Sequence, residues 1–211
     1  MEQIRILLVE DDKVWIQGLV DLIHQEQNLV ISGVAATREQ ALALLPTIPV
    51  DVIVLDIMLT KNNLDGIHTA LEIRALGDYK IIMFTSLAMD EAIIDSFAAG
   101  AVNYIDKLNY KELPDAIRAA YRNASSIHAS AASTLRSEMQ RLKKAEMHRL
   151  ISPVEKEILQ LVSQGYTQSQ IAKETLKSER TVKNHIGRIL KKLGVGSSKE
   201  AAEKAKKGLL F

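Results

Sequence analysis

The residues best suited to chemistry are Glu10, Asp11, Asp12, Asp56, Thr85 and Lys107, each standing at or just after the end of a short apolar run. Carboxylates crowded together resist joint ionisation, so such a group needs compensating positive charge. Carboxylate oxygens suit a hard cation such as Mg²⁺, which takes one or two carboxylates together with phosphate oxygens and water. A lysine and a hydroxyl aimed at the same point would complete a phosphoryl site. Taken singly, each of these residues reads as a polar loop residue after a strand. The set, in this order and on successive strands, points to a phosphoryl site.

A second set lies near the C-terminus. Between Arg180 and Lys191 there is no acidic residue, and at 100° per residue Val182, Ile186, Ile189, Leu190 and Leu193 fall on one stripe of a helix. The opposite face carries Arg180, Asn184, Gly187, Arg188 and Lys191, with Lys183 at its edge. An apolar stripe backed by basic and amide side chains suits entry into the DNA major groove, where Arg and Lys match guanine edges and Asn matches adenine. Thr167, Gln168 and Thr181 are placed to touch phosphates, contacts that position a domain without reading sequence. Gly187 is unexpected inside a helix, where it costs roughly 1 kcal/mol against Ala; close backbone approach to the groove would account for it.

The elements that must hold these residues follow from periodicity. Ile4–Val9, Val30–Val34, Val52–Leu55, Ile81–Phe84 and Val102–Ile105 are short β-branched runs separated by segments of helical spacing such as Ile16, Leu19, Val20 and Ile23. Regular alternation predicts a parallel sheet covered on both faces. Five such units in residues 1–124 fit the flavodoxin-like doubly wound fold of strand order 2-1-3-4-5, which binds ligands at the carboxyl ends of its strands. Residues 125–149 change texture, from the Ala/Ser-rich stretch Ser125–Ser133 to the charged Arg136–Arg149, and read as a mostly helical linker. Leu135, Met139 and Leu142 are too few to assert a coiled coil. Ser152-Pro-Val-Glu155 then supplies an N-cap, a Pro at the first helical position and a capping box. No strand-like segment follows, so residues 150–211 are expected to be an all-α domain.

Composition agrees. The chain of 211 residues has a formal net charge of +1. Within it, residues 1–124 hold 10 Lys+Arg against 18 Asp+Glu, and the remainder holds 17 against 8. An acidic half followed by a basic one suggests two domains, the second facing a polyanion. The chain has no cysteine, which removes thiolate and disulfide chemistry and suits the cytoplasm. No run of about 18 apolar residues predicts a membrane span, and the N-terminus lacks a signal-peptide pattern.

Against this background, residues 4–122 resemble a response-regulator receiver domain in V-E-D-D at 9–12, L-D-I-M-L at 55–59, F-T-S at 84–86 and Y-I-D-K at 104–107. Residues 151–205 resemble the LuxR/FixJ-type helix-turn-helix of NarL-family regulators in I-S-P-V-E-K-E-I-L at 151–159, G-Y-T-Q-S-Q-I-A at 165–172 and S-E-R-T-V-K-N-H-I-G-R-I-L-K-K-L-G-V at 178–195. The resemblance implies a two-component response regulator, a transcription factor and not an enzyme. By it, Asp56 accepts a phosphoryl group from a sensor histidine kinase, and Glu10, Asp11, Asp56 and the Met58 carbonyl hold Mg²⁺. Thr85 and Lys107 would bind phosphoryl oxygens, and Tyr104 would turn inward as the switch. Arg180, Thr181, Lys183, Asn184, Arg188 and Lys191 would meet double-stranded DNA, and activation would produce a homodimer through surfaces that include the last helix, Ser198–Lys207.

The departures from the pattern are Thr60 and Leu108 where receivers usually carry Pro, and a loop from Asp56 to Gly66 about two residues longer than typical. Met58 and Leu87, flanking the acceptor, cannot orient a water, which implies a long-lived phosphate. Two alternatives stay open: a DNA-binding regulator whose receiver works without phosphate, and a receiver with an RNA-binding antiterminator output. A haloacid-dehalogenase-type phosphatase is excluded, since it needs a second acid where Met58 stands.

Overall fold

The computed structural model describes residues 2–60, 64–124, 127–207 and 210. Its chain separates into two compact units, Met1–Arg136 and Ser137–Phe211. The first is built on β1 (Ile4–Val9), β2 (Leu29–Ala35), β3 (Val52–Leu55), β4 (Lys80–Thr85) and β5 (Asn103–Asp106). These five strands form one sheet in the order β2-β1-β3-β4-β5, with every pairing parallel. The strand order is the one expected, and its reversal beside β1 opens a crevice at the carboxyl ends of β1 and β3.

Strand alternation divides the sheet's side chains between two cores. Leu7, Val9, Ile53, Leu55, Ile81 and Met83 pack on one face against α2 (Arg38–Leu44), α3 (Asp65–Leu76) and α4 (Asp90–Ala98). Ile6, Leu8, Val52, Val54, Ile82 and Phe84 pack on the other against α1 (Lys13–His24) and α5 (Leu113–Tyr121). Period-two placement of apolar residues on both faces is what a doubly covered parallel sheet demands. A 3₁₀ segment, Lys107–Glu112, links β5 to α5.

The segment expected to link the domains is helical over its described part from α6 (Ala129–Leu150) onward, while Ser125 and Ser126 lie outside the described residues. The opening turns of α6 belong to the first unit. Ala131 is fully buried and Leu135 packs against the same core as α4. Thr134 donates to Asp90 at 2.6 Å, and the Ser130 hydroxyl donates to the Tyr104 carbonyl at 3.1 Å. His128 adds its backbone N–H to the Asn103 side chain at 2.9 Å. Met139 and Leu142, by contrast, remain exposed.

The second unit is helical: α7 (Pro153–Ser163), α8 (Gln168–Glu174), α9 (Glu179–Leu193) and α10 (Ser198–Lys207). The capping box at Ser152 and Glu155 forms as the sequence predicts, with Pro153 opening the helix. A second capping box joins Thr167 and Gln170 at the start of α8. Ile158, Leu159, Ile171, Val182, Ile186, Ile189 and Leu193 make its core, closed by Ala201, Ala202 and Ala205 of α10. Among the described residues no helix is long and apolar enough to cross a membrane.

Candidate functional site

In the first unit, β1, β3 and β5 deliver Glu10, Asp11, Asp56 and Lys107 to one crevice, which Thr85, Ser86, Met58, Thr60, Asp12 and Trp15 also line. Ligand oxygens of Glu10, Asp11 and Asp56 lie within 4.8 Å of one another. Glu10 and Asp56 are buried, and Asp11 is exposed at the rim. The Lys107 ammonium donates to Asp56 Oδ2 at 2.8 Å. It also lies 2.7 Å from Glu10 Oε2, at an angle that makes no hydrogen bond, so this buried oxygen has charge compensation but no donor.

The electrostatics follow from that crowding. Burial, reinforced by the Asp56 charge and opposed by Lys107, pushes the Glu10 carboxyl up to about 7. Burial works against the Lys107 charge, but Asp56 and Glu10 outweigh it and hold that ammonium above the ordinary lysine value. Three carboxylates face one lysine, which leaves an excess of negative charge of the size a divalent cation carries. With an undonated buried oxygen at its floor, the donor set fits a hard, oxygen-seeking ion such as Mg²⁺.

Asp12, adjacent to this set, has a different employment. Its carboxylate accepts the Val14 N–H at 2.7 Å and caps α1. Thr85 is buried, its hydroxyl accepting the Leu87 N–H at 3.3 Å. Tyr104 is buried as well, its hydroxyl donating to the Leu87 carbonyl; burial and the nearby Asp106 and Asp56 charges push its pKa up. Tyr104 therefore already occupies the inward arrangement that the sequence reading reserved for a switched state.

Three residues that sequence reasoning passed over shape the crevice. Gly66 lies where an added Cβ would meet the Asp56 carbonyl oxygen at 2.0 Å and the Ile57 Cα at 2.6 Å. Only glycine lets the start of α3 approach the end of β3 this closely, and a glycine closing a polar loop was the available signal. Asp65 accepts the Leu59 N–H at 3.0 Å and the Thr60 hydroxyl at 2.7 Å, tying down the loop where Thr60 replaces the usual Pro. Of that loop's polar run, Lys61, Asn62 and Asn63 lie outside the described residues. The third is Trp15, half-buried on α1, with its ring centroid 5.3 Å from Lys107 Nζ.

In the second unit, α9 is capped by Ser178, which accepts the Thr181 N–H, and ends at Gly194 in the left-handed conformation. Val182, Ile186, Ile189 and Leu193 are buried, as the stripe requires, and Leu190 packs beside them. Arg180, Lys183, Asn184, Arg188 and Lys191 are exposed on the same helix. None of these four cations enters an ion pair among the described residues. Lys192 is employed differently: it bonds the buried Glu155 of α7 at 2.6 Å. The Thr181 and Thr167 hydroxyls are engaged in caps, and a Cβ at Gly187 would meet nothing within 4 Å.

Residues 6–118 match the family model of the response regulator receiver domain, and residues 149–205 match that of bacterial regulatory proteins of the luxR family. The chain is 32% identical to the DNA-binding transcriptional activator DevR/DosR of Mycobacterium tuberculosis, over 94% of this chain and 92% of that one. It is 32% identical to the transcriptional regulatory protein LiaR of Bacillus subtilis, over 94% of this chain and 95% of that one. A solved LuxR-family response regulator from Aurantimonas sp. superposes with a TM-score of 0.59 at 27% identity, covering 65% of this chain and 99% of its own. Matched by both models in this order, and over nearly the full length of both relatives, the chain belongs to the two-component response regulators that join a receiver domain to a LuxR-type DNA-binding domain.

Proposed function

We propose that the chain is a transcription regulator switched when a sensor histidine kinase transfers a phosphoryl group to Asp56. The observation that carries this reading is the convergence of Glu10, Asp11, Asp56 and Lys107 on one crevice. Asp56 Oδ attacks phosphorus, the bond from phosphorus to the donor breaks, and an acyl phosphate forms on the carboxylate. Lys107, held against Asp56, neutralises charge on the transferred group, and the Thr85 hydroxyl donates to one of its oxygens. Glu10, Asp11, Asp56 and the Met58 carbonyl would hold Mg²⁺, whose contribution is charge neutralisation at the phosphoryl oxygens. Tyr104, inward and bonded to the Leu87 carbonyl, holds the β4–α4 loop in the arrangement that phosphorylation favours. Phosphorylation favours a homodimer, and α9 of each copy enters the major groove of double-stranded DNA. There Arg180, Lys183, Asn184, Arg188 and Lys191 face bases and phosphates, while Thr181 positions the first turn.

Residues 1–124, 125–149 and 150–211 divide these roles between receiver, helical linker and DNA-binding domain. The test of the switch is intact mass after incubation with a small phosphodonor and Mg²⁺, for wild type and Asp56→Asn. An adduct on wild type alone is expected. Adducts on both would reassign the acceptor, and adducts on neither would favour a regulator that works without phosphate. For the output, Arg188→Ala is expected to weaken duplex binding and to flatten its salt dependence by about one phosphate's worth of counterion release if Arg188 meets the backbone. Tighter binding to a matched RNA than to DNA would replace this output with an RNA-binding one.

A further inference from the structure

Trp15 is the chain's only tryptophan, and it stands in the first turn of α1, three residues after the acidic run ends at Asp12. Its ring makes an edge-to-face contact with Phe84 at 5.5 Å and with Tyr110 at 6.2 Å between centroids. Those two neighbours fix the plane of the indole, and its face is turned to the Lys107 ammonium, 5.3 Å from the ring centroid. Lys107 is only 5% exposed. An ammonium carries three N–H groups. One is committed to Asp56, and Glu10 lies in ionic contact with the same nitrogen. The rest of the ammonium has little exposure and lies between aromatic faces, the Trp15 ring and, at 5.9 Å, the Phe84 ring, surfaces that attract a cation.

We propose that Trp15 is the positioning residue for Lys107, its π face completing the ammonium's surroundings and holding it against the Asp56 carboxylate. The proposal rests on Asp56 as phosphoacceptor for its functional consequence, though not for the contact itself. A lysine has four rotatable carbons and, once water is admitted beside it, many conformations that leave Asp56. With the indole in place the ammonium is confined to the point where charge develops on an incoming phosphoryl group. Leu at position 15 would fill much of the volume without offering a π face. Phe would retain the face and lose the indole's size.

The experiment compares wild type, Trp15→Phe and Trp15→Leu in the full-length protein, with Trp15→Met as the flexible apolar replacement should the leucine variant misfold. The first readout is the Lys107 ammonium signal in proton–nitrogen NMR spectra. Ring current over the indole face shifts its protons upfield in wild type; the shift is expected to persist in part in W15F and to fall in W15L to the smaller part that the Phe84 ring, 5.9 Å away, contributes. The second is the rate of adduct formation with a small phosphodonor and Mg²⁺. W15F is expected within about twofold of wild type and W15L about tenfold slower, equivalent to about 1.4 kcal/mol. An unshifted Lys107 signal in wild type, or a W15L variant phosphorylated as fast as wild type, would overturn the proposal and leave Trp15 a packing aromatic. Loss of the Trp15 part of the shift in W15L, while no protein, wild type included, takes up phosphate, would uphold the contact and favour a regulator that works without phosphate.

Discussion

At Gly66 a hydrogen atom occupies the place where a methyl group would lie 2.0 Å from the Asp56 carbonyl oxygen. Backbone atoms cannot yield as a flexible side chain can, so Gly66→Ala forces α3 away from β3. The expected loss is about 2 kcal/mol of stability, read as a lower midpoint of thermal unfolding, together with slower phosphate uptake at Asp56. Gly187 makes the opposite case. A Cβ there meets nothing within 4 Å, so Gly187→Ala should stabilise α9 by roughly 0.5–1 kcal/mol. If close approach to DNA is the reason for the glycine, the same variant binds its duplex more weakly although it unfolds at higher temperature. A variant that is stabilised and binds unchanged would reduce Gly187 to an ordinary helix defect.

Among the elements, α7 and α9 are joined by an ion pair between the buried Glu155 and the exposed Lys192. Burial pushes the Glu155 carboxyl up, but Lys192 and the Ser152 cap more than reverse this and hold it below the ordinary glutamate range. Because folding lowers this pKa, the unfolded chain binds the proton more readily than the folded one. The stabilisation is therefore complete above about pH 4.3, the unfolded value, and is lost as pH falls through the folded one. Unfolding of the second unit, followed by the methyl signals of Ile158 and Ile171 between pH 6 and 3, should show that loss. Glu155→Gln should be less stable by about 1–3 kcal/mol at pH 6 and should respond more weakly to acid. An equal response in wild type and variant would place the acid sensitivity elsewhere.

For the whole molecule, the decisive feature is where the chain divides. The start of α6 is bound into the first unit by buried Ala131, by Leu135 and by Thr134 on Asp90. Ser130 bonds the backbone of Tyr104 itself, so the connecting helix is fastened to the proposed switch strand. A fragment of residues 1–136 should be more stable than one of residues 1–124 by about 2 kcal/mol, from burial of these side chains. Denaturant unfolding of the two fragments measures the difference, and equal midpoints would mean that α6 contributes nothing to the first unit. Thr134→Val in the full chain should remove about 1 kcal/mol of this attachment.

Much of this was legible in the residues themselves. Period-two and period-3.6 patterns are local, so the strands at Ile4–Val9 and Val52–Leu55 and the apolar stripe of α9 follow from the order of side chains alone. The capping box at Ser152 and Glu155 spans four residues and is equally local. The carboxylates and Lys107 were recognisable because a doubly wound sheet brings the carboxyl ends of its strands together whatever the details. Tertiary structure alone decided what depends on distance between remote residues. It set Trp15 against Lys107, made Gly66 indispensable beside Asp56, and drew the first turns of α6 into the first unit. Each of these rests on contacts between segments far apart in sequence, and such contacts leave no periodic trace in the chain that makes them.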